Sequence, residues 1–229
     1  MQRAQSSLEA PSYPELWCIL LTGLLHVVVE LVWNQARGAT IWLLTPDQLY
    51  NFSAIGLWGV YGVWRLATTP GLARVWGFRK DNFIAALRPS LVFALCAGVL
   101  LMSYGSLAER SVVPKTFWLA LAVYPLYGIA QQFALQVLVA KNLRTLVPTP
   151  LGRAGVTGAV FGLAHFPLVP LMLLTAPAGV VFTRIFESRP NLWAVGLAHG
   201  LLGAVAYYVV LGLDPGAQIL EILTHPAPF

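Results

Sequence analysis

Residues 192–213 read LWAVGLAHGLLGAVAYYVVLGL, 22 residues with no charge and a single histidine among apolar neighbours. A helix needs about 20 mostly apolar residues to cross the hydrocarbon layer of a membrane, so this stretch is long enough to span one. Working back along the chain, six more runs are candidates: Leu16–Trp33, Tyr50–Ala67, Leu91–Leu107, Phe117–Ala140, Ala154–Val169 and Leu171–Phe186. Pro167 and Pro170 join the last two in a tight hairpin. The chain is 58% hydrophobic and only 10% charged, with a mean hydropathy of +0.71. Soluble chains carry about 25% charged residues, and one soluble core of this size cannot hide such an apolar surplus. The sequence therefore predicts an all-α, polytopic transmembrane helical bundle of seven spans. An eighth, partial segment around Ala39–Leu44 is the alternative count.

Residues 1–15 form a polar segment with Glu9, Glu15 and two prolines, unlike a cleavable signal peptide. Residues 16–213 make one transmembrane domain and 214–229 a tail. Lys and Arg collect in cytoplasmic loops. With seven spans, 11 of the 14 basic residues fall on the side of the N-terminus, leaving Arg37, Arg110 and Lys115 on the other. The expected topology puts the N-terminus in the cytoplasm of a bacterial-type cell and the C-terminus outside. The pI of about 9.5 suits anionic lipid headgroups and gives no reason to expect nucleic acid. Cys18 and Cys96 both lie in apolar runs, without metal-type spacing, and are expected to be small buried hydrophobes rather than a disulfide. In the linker Val75–Arg88, Trp76, Phe83, Ile84 and Leu87 share one helical face beside Arg79, Lys80 and Arg88, which predicts a helix lying in the headgroup zone.

Ionisable groups inside a membrane are costly and default to function. They are few here: His26 and Glu30 in the first run, His165 in the fifth and His199 in the seventh; Gln131, Gln132 and Gln136 add uncharged polar groups in the fourth. Counting at 1.5 Å per residue from the cytoplasmic ends, His26, His165, His199 and Gln132 lie at depths of roughly 10–17 Å. One shared polar cavity explains that coincidence. His26 and Glu30 are spaced i, i+4 and share a helix face. Gly162-Leu-Ala-His165 and Gly196-Leu-Ala-His199 repeat the same four residues, and the small residues let helices approach closely.

These polar motifs resemble those of the CPBP family (CAAX processing and bacteriocin processing, or Abi proteins), which are multi-pass intramembrane proteases. Family members carry Glu-Glu-x-x-x-Arg on one span, Phe-x-x-x-His on a later one and His-x-x-x-Asn on a third. Here Gln131-Gln132-Phe-Ala-Leu-Gln136 occupies the first motif, Phe161-Gly-Leu-Ala-His165 the second and His199-Gly-Leu-Leu-Gly203 the third. Trp76-Gly-Phe-Arg79 looks like the Gly-aromatic-basic segment found ahead of them, so the resemblance runs from about Val75 to Leu213. It implies peptide hydrolysis near the cytoplasmic face, with a glutamate activating water and histidines binding that water and the oxyanion.

The departures from the family pattern divide the readings. Both motif glutamates are glutamines, the motif arginine is Gln136 and the motif asparagine is Gly203. A carboxamide keeps the shape of a carboxyl group but accepts no proton at neutral pH. In the protease reading, His165 and His199 hold water or oxyanion, Gln131 and Gln132 position, and Glu30 is the substitute base. His26, Phe161, Gln136 and Gly203 are the expected substrate-binding positions. In the alternative reading, a pseudoprotease binds a hydrophobic or lipidated peptide or a membrane protein through the same cavity. A third is an enzyme on a lipid-like substrate, using Glu30 and the histidines. No cofactor is required, although three histidines and a carboxylate suit zinc in kind.

Overall fold

The structure is a computed structural model that describes residues 8, 10–33, 46–110 and 113–224. The predicted partial segment Ala39–Leu44 lies outside the described residues, as do most of 1–9 and all of 225–229. The described residues are all-helical. In chain order the helices are α1 Tyr13–Trp33, α2 Pro46–Thr68, the short α3 Leu72–Val75, α4 Phe83–Leu107 and α5 Phe117–Gln132. α6 Pro150–Leu163, α7 Val169–Ser188, α8 Leu192–Ala206 and α9 Pro215–Thr224 follow. α5 runs on into a π-helical segment, Phe133–Ala140, and α8 into another, Tyr207–Leu211. In the first of these, the Lys141 amide reaches back five residues to the Gln136 carbonyl at 3.0 Å.

Among the described residues, five helical stretches are long and apolar enough to cross a membrane, against the seven expected: Tyr13–Val32, Phe83–Leu107, Phe117–Ala140, Val169–Ser188 and Leu192–Leu211. The expected second span lies in α2, whose 23 residues are long enough, but Arg65, Asn51 and Ser53 dilute its apolar character. The expected fifth span, Ala154–Val169, breaks at Leu163 and leaves a 14-residue α6, about 21 Å long. Outward faces are apolar, with Leu57 73%, Leu100 72% and Leu107 86% exposed. Water would penalise such surfaces heavily, whereas lipid does not, so this is an integral membrane protein. Cys18 and Cys96 belong to these faces: both thiols are free, as expected, but exposed rather than buried.

The expected headgroup-zone helix at Val75–Arg88 is absent. α3 ends at Val75, and Gly77 turns the chain at a φ of +84°, a left-handed conformation that suits glycine. The Trp76 ring is fully buried, 5.2 Å from that of Phe133. Phe83, Ile84 and Leu87 instead open α4. Burial of one large aromatic, together with the turn, overrides the helical period read in the linker.

The chain divides into two compact units, one within Met1–Arg79 and Phe133–Arg184, the other within Lys80–Gln132 and Ile185–Phe229. In the second, α5 packs along α8 and three glycines make their approach close. A Cβ on Gly200 would fall 2.5 Å from the Pro125 Cα, and one on Gly196 2.7 Å from the Ile129 Cα. Gly128 faces the Gly196 and Gly200 backbones. In the first unit, Gly158 and Gly162 of α6 approach Ala176 of α7 in the same way.

The described part of the tail forms α9, Pro215–Thr224. Asp214 Oδ1 accepts the Ala217 amide at 2.8 Å, the Thr116 hydroxyl at 2.7 Å and the Tyr208 hydroxyl at 3.0 Å, which caps the helix and anchors it to the start of α5. Burial pushes the Asp214 carboxyl up, but the hydrogen bonds from Thr116, Ala217 and Tyr208 outweigh it and hold the group below its ordinary value. A depressed carboxyl contributes stability above its unfolded value, about pH 4, and loses it as pH falls through the folded one. Asp214→Ala is expected to cost about 1 kcal/mol. Thermal melts of wild type and variant should therefore differ near neutral pH and converge in acid.

Candidate functional site

In the second unit the site is built outward from the start of α8. Asn191 caps that helix, its Oδ1 accepting the Ala194 amide at 3.0 Å. Its amide group donates to Asn82 Oδ1 at 2.8 Å, and Asn82 donates to the Pro190 carbonyl at 3.1 Å. Two turns on, His199 is buried at 7% exposure. Its Nε2 lies 2.6 Å from Gln131 Oε1 on α5. A carboxamide oxygen only accepts, so His199 donates from Nε2, and the neutral ring carries its acceptor at Nδ1. The glycine crossing of α5 and α8 is what brings these two side chains together. Gln132, at the end of α5, is wholly buried. Gly203 sits one turn beyond His199 with space beside it, the nearest atom to an added Cβ being Tyr124 Cδ1 at 3.8 Å.

An apolar groove of about 490 Å³ lies in the same unit. Ala94, Gly98 and Met102 of α4 line it with Phe117 and Leu121 of α5 and Leu202 of α8. Its volume falls within the roughly 300–1,000 Å³ typical of ligand pockets.

The first unit holds the other two histidines of the motif set. His165 lies in the turn after α6, where its Nδ1 donates to the Phe161 carbonyl at 2.8 Å and its ring packs edge-on against the buried Phe161 ring at 4.9 Å. That bond leaves Nε2 as the acceptor of the neutral imidazole. His26 on α1 donates from Nε2 to the Phe166 carbonyl at 3.0 Å and stacks on Tyr50 at 5.9 Å. Its Nδ1 is buried with no hydrogen-bond partner among the described residues. Glu30 is half-buried one turn further along α1, while His26 Nε2 turns to the backbone beside His165. Gln136 is wholly buried in the π-helical segment.

The residues expected to share a cavity thus fall into two sets. Gln131, Gln132, His199 and Gly203 belong to the second unit; His26, Glu30, Gln136, Phe161 and His165 belong to the first. Among the described residues, no three His, Cys, Asp or Glu side chains are grouped as metal ligands.

One polar centre lies outside the residues that the sequence motifs single out. Glu15, expected to be part of a polar tail, is 6% exposed in the first turn of α1. Its Oε1 accepts the Tyr61 hydroxyl at 2.5 Å and lies 3.9 Å from Arg65 Nη2. Its Oε2 accepts the Asn142 amide at 3.1 Å, while Asn142 Oδ1 takes the Ser12 amide at 2.8 Å. The available signal was position: Glu15 is the last acid before the charge-free run that opens α1.

Residues 113–205 match the family model described as Rce1-like, Type II CAAX prenyl endopeptidase Rce1-like. The resemblance to the CPBP family read from the motifs is therefore shown, and the matched segment contains all three of them. It begins after the Trp76–Arg79 segment. No curated protein and no solved structure matches the chain.

Proposed function

We propose that this CAAX-protease-like membrane protein is a pseudoprotease, which binds a lipidated or hydrophobic peptide and does not cut it. The His199–Gln131 pair carries the reading. Hydrolysis by this type of site needs a group that takes a proton from water in the transition state. Gln131 stands at a motif glutamate, in direct contact with His199 at 2.6 Å, and its carboxamide cannot fill that role. Binding survives the replacement. His199 stays anchored by the Gln131 carboxamide oxygen at 2.6 Å, a polar point for a peptide backbone on the helix that lines the apolar groove. The groove beside α8 suits a prenyl or acyl chain, since it is apolar and of ligand size.

The test uses the protein in nanodiscs and a fluorescent peptide with a farnesylated C-terminal cysteine motif. Anisotropy reads binding, and mass spectrometry reads cleavage. Saturable binding that weakens about tenfold in His199→Ala, corresponding to about 1.4 kcal/mol, is expected without a cleaved product. Cleavage by the wild type that disappears in Glu30→Gln would overturn the proposal in favour of a rewired protease with Glu30 as its base.

A further inference from the structure

We infer that Arg65, Lys141 and Arg144, gathered around Glu15 in the first unit, form a binding site for a phosphate oxyanion, supplied by the headgroup of an anionic phospholipid. The site is separate from the histidine motifs and does not depend on the proposed pseudoprotease function.

The charge balance points to an anion. Glu15 is 6% exposed and Lys141 8%, and the Arg65 side chain is one-third exposed at 32%. Arg144 stands exposed at the rim. Glu15, Arg144 and Arg65 all lie within electrostatic reach of Lys141. Among the described residues, the buried Lys141 and the partly buried Arg65 outnumber the one buried carboxylate, Glu15, and Arg144 adds a third cation at the exposed rim; cationic charge left unpaired where water is scarce is costly. Glu15 is already engaged by Tyr61, Asn142 and Arg65. Burial lowers the Lys141 ammonium from its ordinary value; Glu15 opposes this, while Arg144 and Arg65 add to it. Part of the Arg65 fork is also open: its Nε is buried and has no hydrogen-bond partner among the described residues. A guanidinium donor in that position matches a phosphate oxygen geometrically.

The depth of the site selects the source. The apolar stretch Tyr13–Val32 begins two residues before Glu15, and Phe117–Ala140 ends one residue before Lys141. The cations therefore stand where hydrocarbon gives way to headgroups, a level at which basic pockets bind lipid phosphates. Tyr13, whose hydroxyl meets the Thr145 hydroxyl at 2.7 Å, supplies an aromatic anchor of the kind enriched at that level.

The experiment is native mass spectrometry of the delipidated full-length protein, titrated separately with phosphatidylglycerol, phosphatidylcholine and inorganic phosphate. Phosphatidylglycerol should bind in preference to phosphatidylcholine. Its affinity should fall about tenfold or more in Lys141→Gln and Arg65→Gln, fall less in Arg144→Gln, and hold in Arg88→Gln. Equal, Lys141-dependent binding of inorganic phosphate would support the oxyanion site and place its source in solution. Circular dichroism checks that each variant folds. If Lys141→Gln does not, the exposed Arg144→Gln still carries the test. Phosphatidylglycerol affinity unchanged in every folded variant of Arg65, Lys141 and Arg144 would overturn the inference.

Discussion

On the proposed pseudoprotease reading, Gln131→Glu is expected to give the protein a peptidase activity. The new carboxylate would stand where the carboxamide oxygen now meets His199 Nε2 at 2.6 Å. An ionised oxygen there accepts a proton as well as a hydrogen bond, and a positioned general base contributes about 10²–10⁴-fold to such reactions. Release of the C-terminal fragment from the farnesylated peptide, followed by mass spectrometry, should rise by that factor over the wild-type background. Gln132→Glu places its acid at a wholly buried position, so the double variant restores the complete family pair. If both variants bind peptide and neither cleaves it, the missing carboxylate is not the block, and attention moves to Gln136 and Gly203.

The second large effect belongs to the crossing that builds the site. Gly196→Leu is expected to cost about 3 kcal/mol, at the upper end of what overpacking does, because a side chain there meets not only the Ile129 side chain at 2.5 Å but also its backbone, which cannot yield, at 2.7 Å. Separating α5 from α8 also separates Gln131 from His199, so peptide binding should fail along with thermal stability in detergent. Gly203→Ala is the internal control. It lies on the same helix with its nearest neighbour at 3.8 Å, and replacing a helical glycine by alanine favours the helix by up to about 1 kcal/mol. The melting temperature should fall sharply in the first variant and hold or rise in the second. Equal melting of the two would mean that the close approach of the glycines does not hold the helices together.

Much of the architecture was legible because the membrane imposes its terms one segment at a time. A charge-free run such as 192–213 must become a helix in lipid, since every backbone polar group has to be satisfied within the segment. The glycines beside His165 and His199 were readable for a related reason, and each does meet a neighbouring helix, Gly162 at α7 and Gly196 at α5. Span counting was less secure. Tyr50–Ala67 falls within a helix of spanning length whose apolar character Arg65, Asn51 and Ser53 dilute, and Ala154–Val169 breaks where the chain turns after Leu163. Cys18 and Cys96 misled in another way. In a membrane protein an apolar residue has no need of the interior, because lipid accepts it equally well.

The sequence by itself determined that the chain is helical and membrane-embedded, that its motifs follow the CPBP order, and that glutamines replace the motif glutamates. All of these are properties of single segments. Tertiary structure decided the partners. His26 bonds to a carbonyl 140 residues away, and Glu15 leaves its polar flank for Tyr61 and Asn142, 46 and 127 residues distant. Helical periodicity tells which face of a segment is polar. Only packing supplies the group on another helix that meets it, and a buried polar atom takes the partner its surroundings offer.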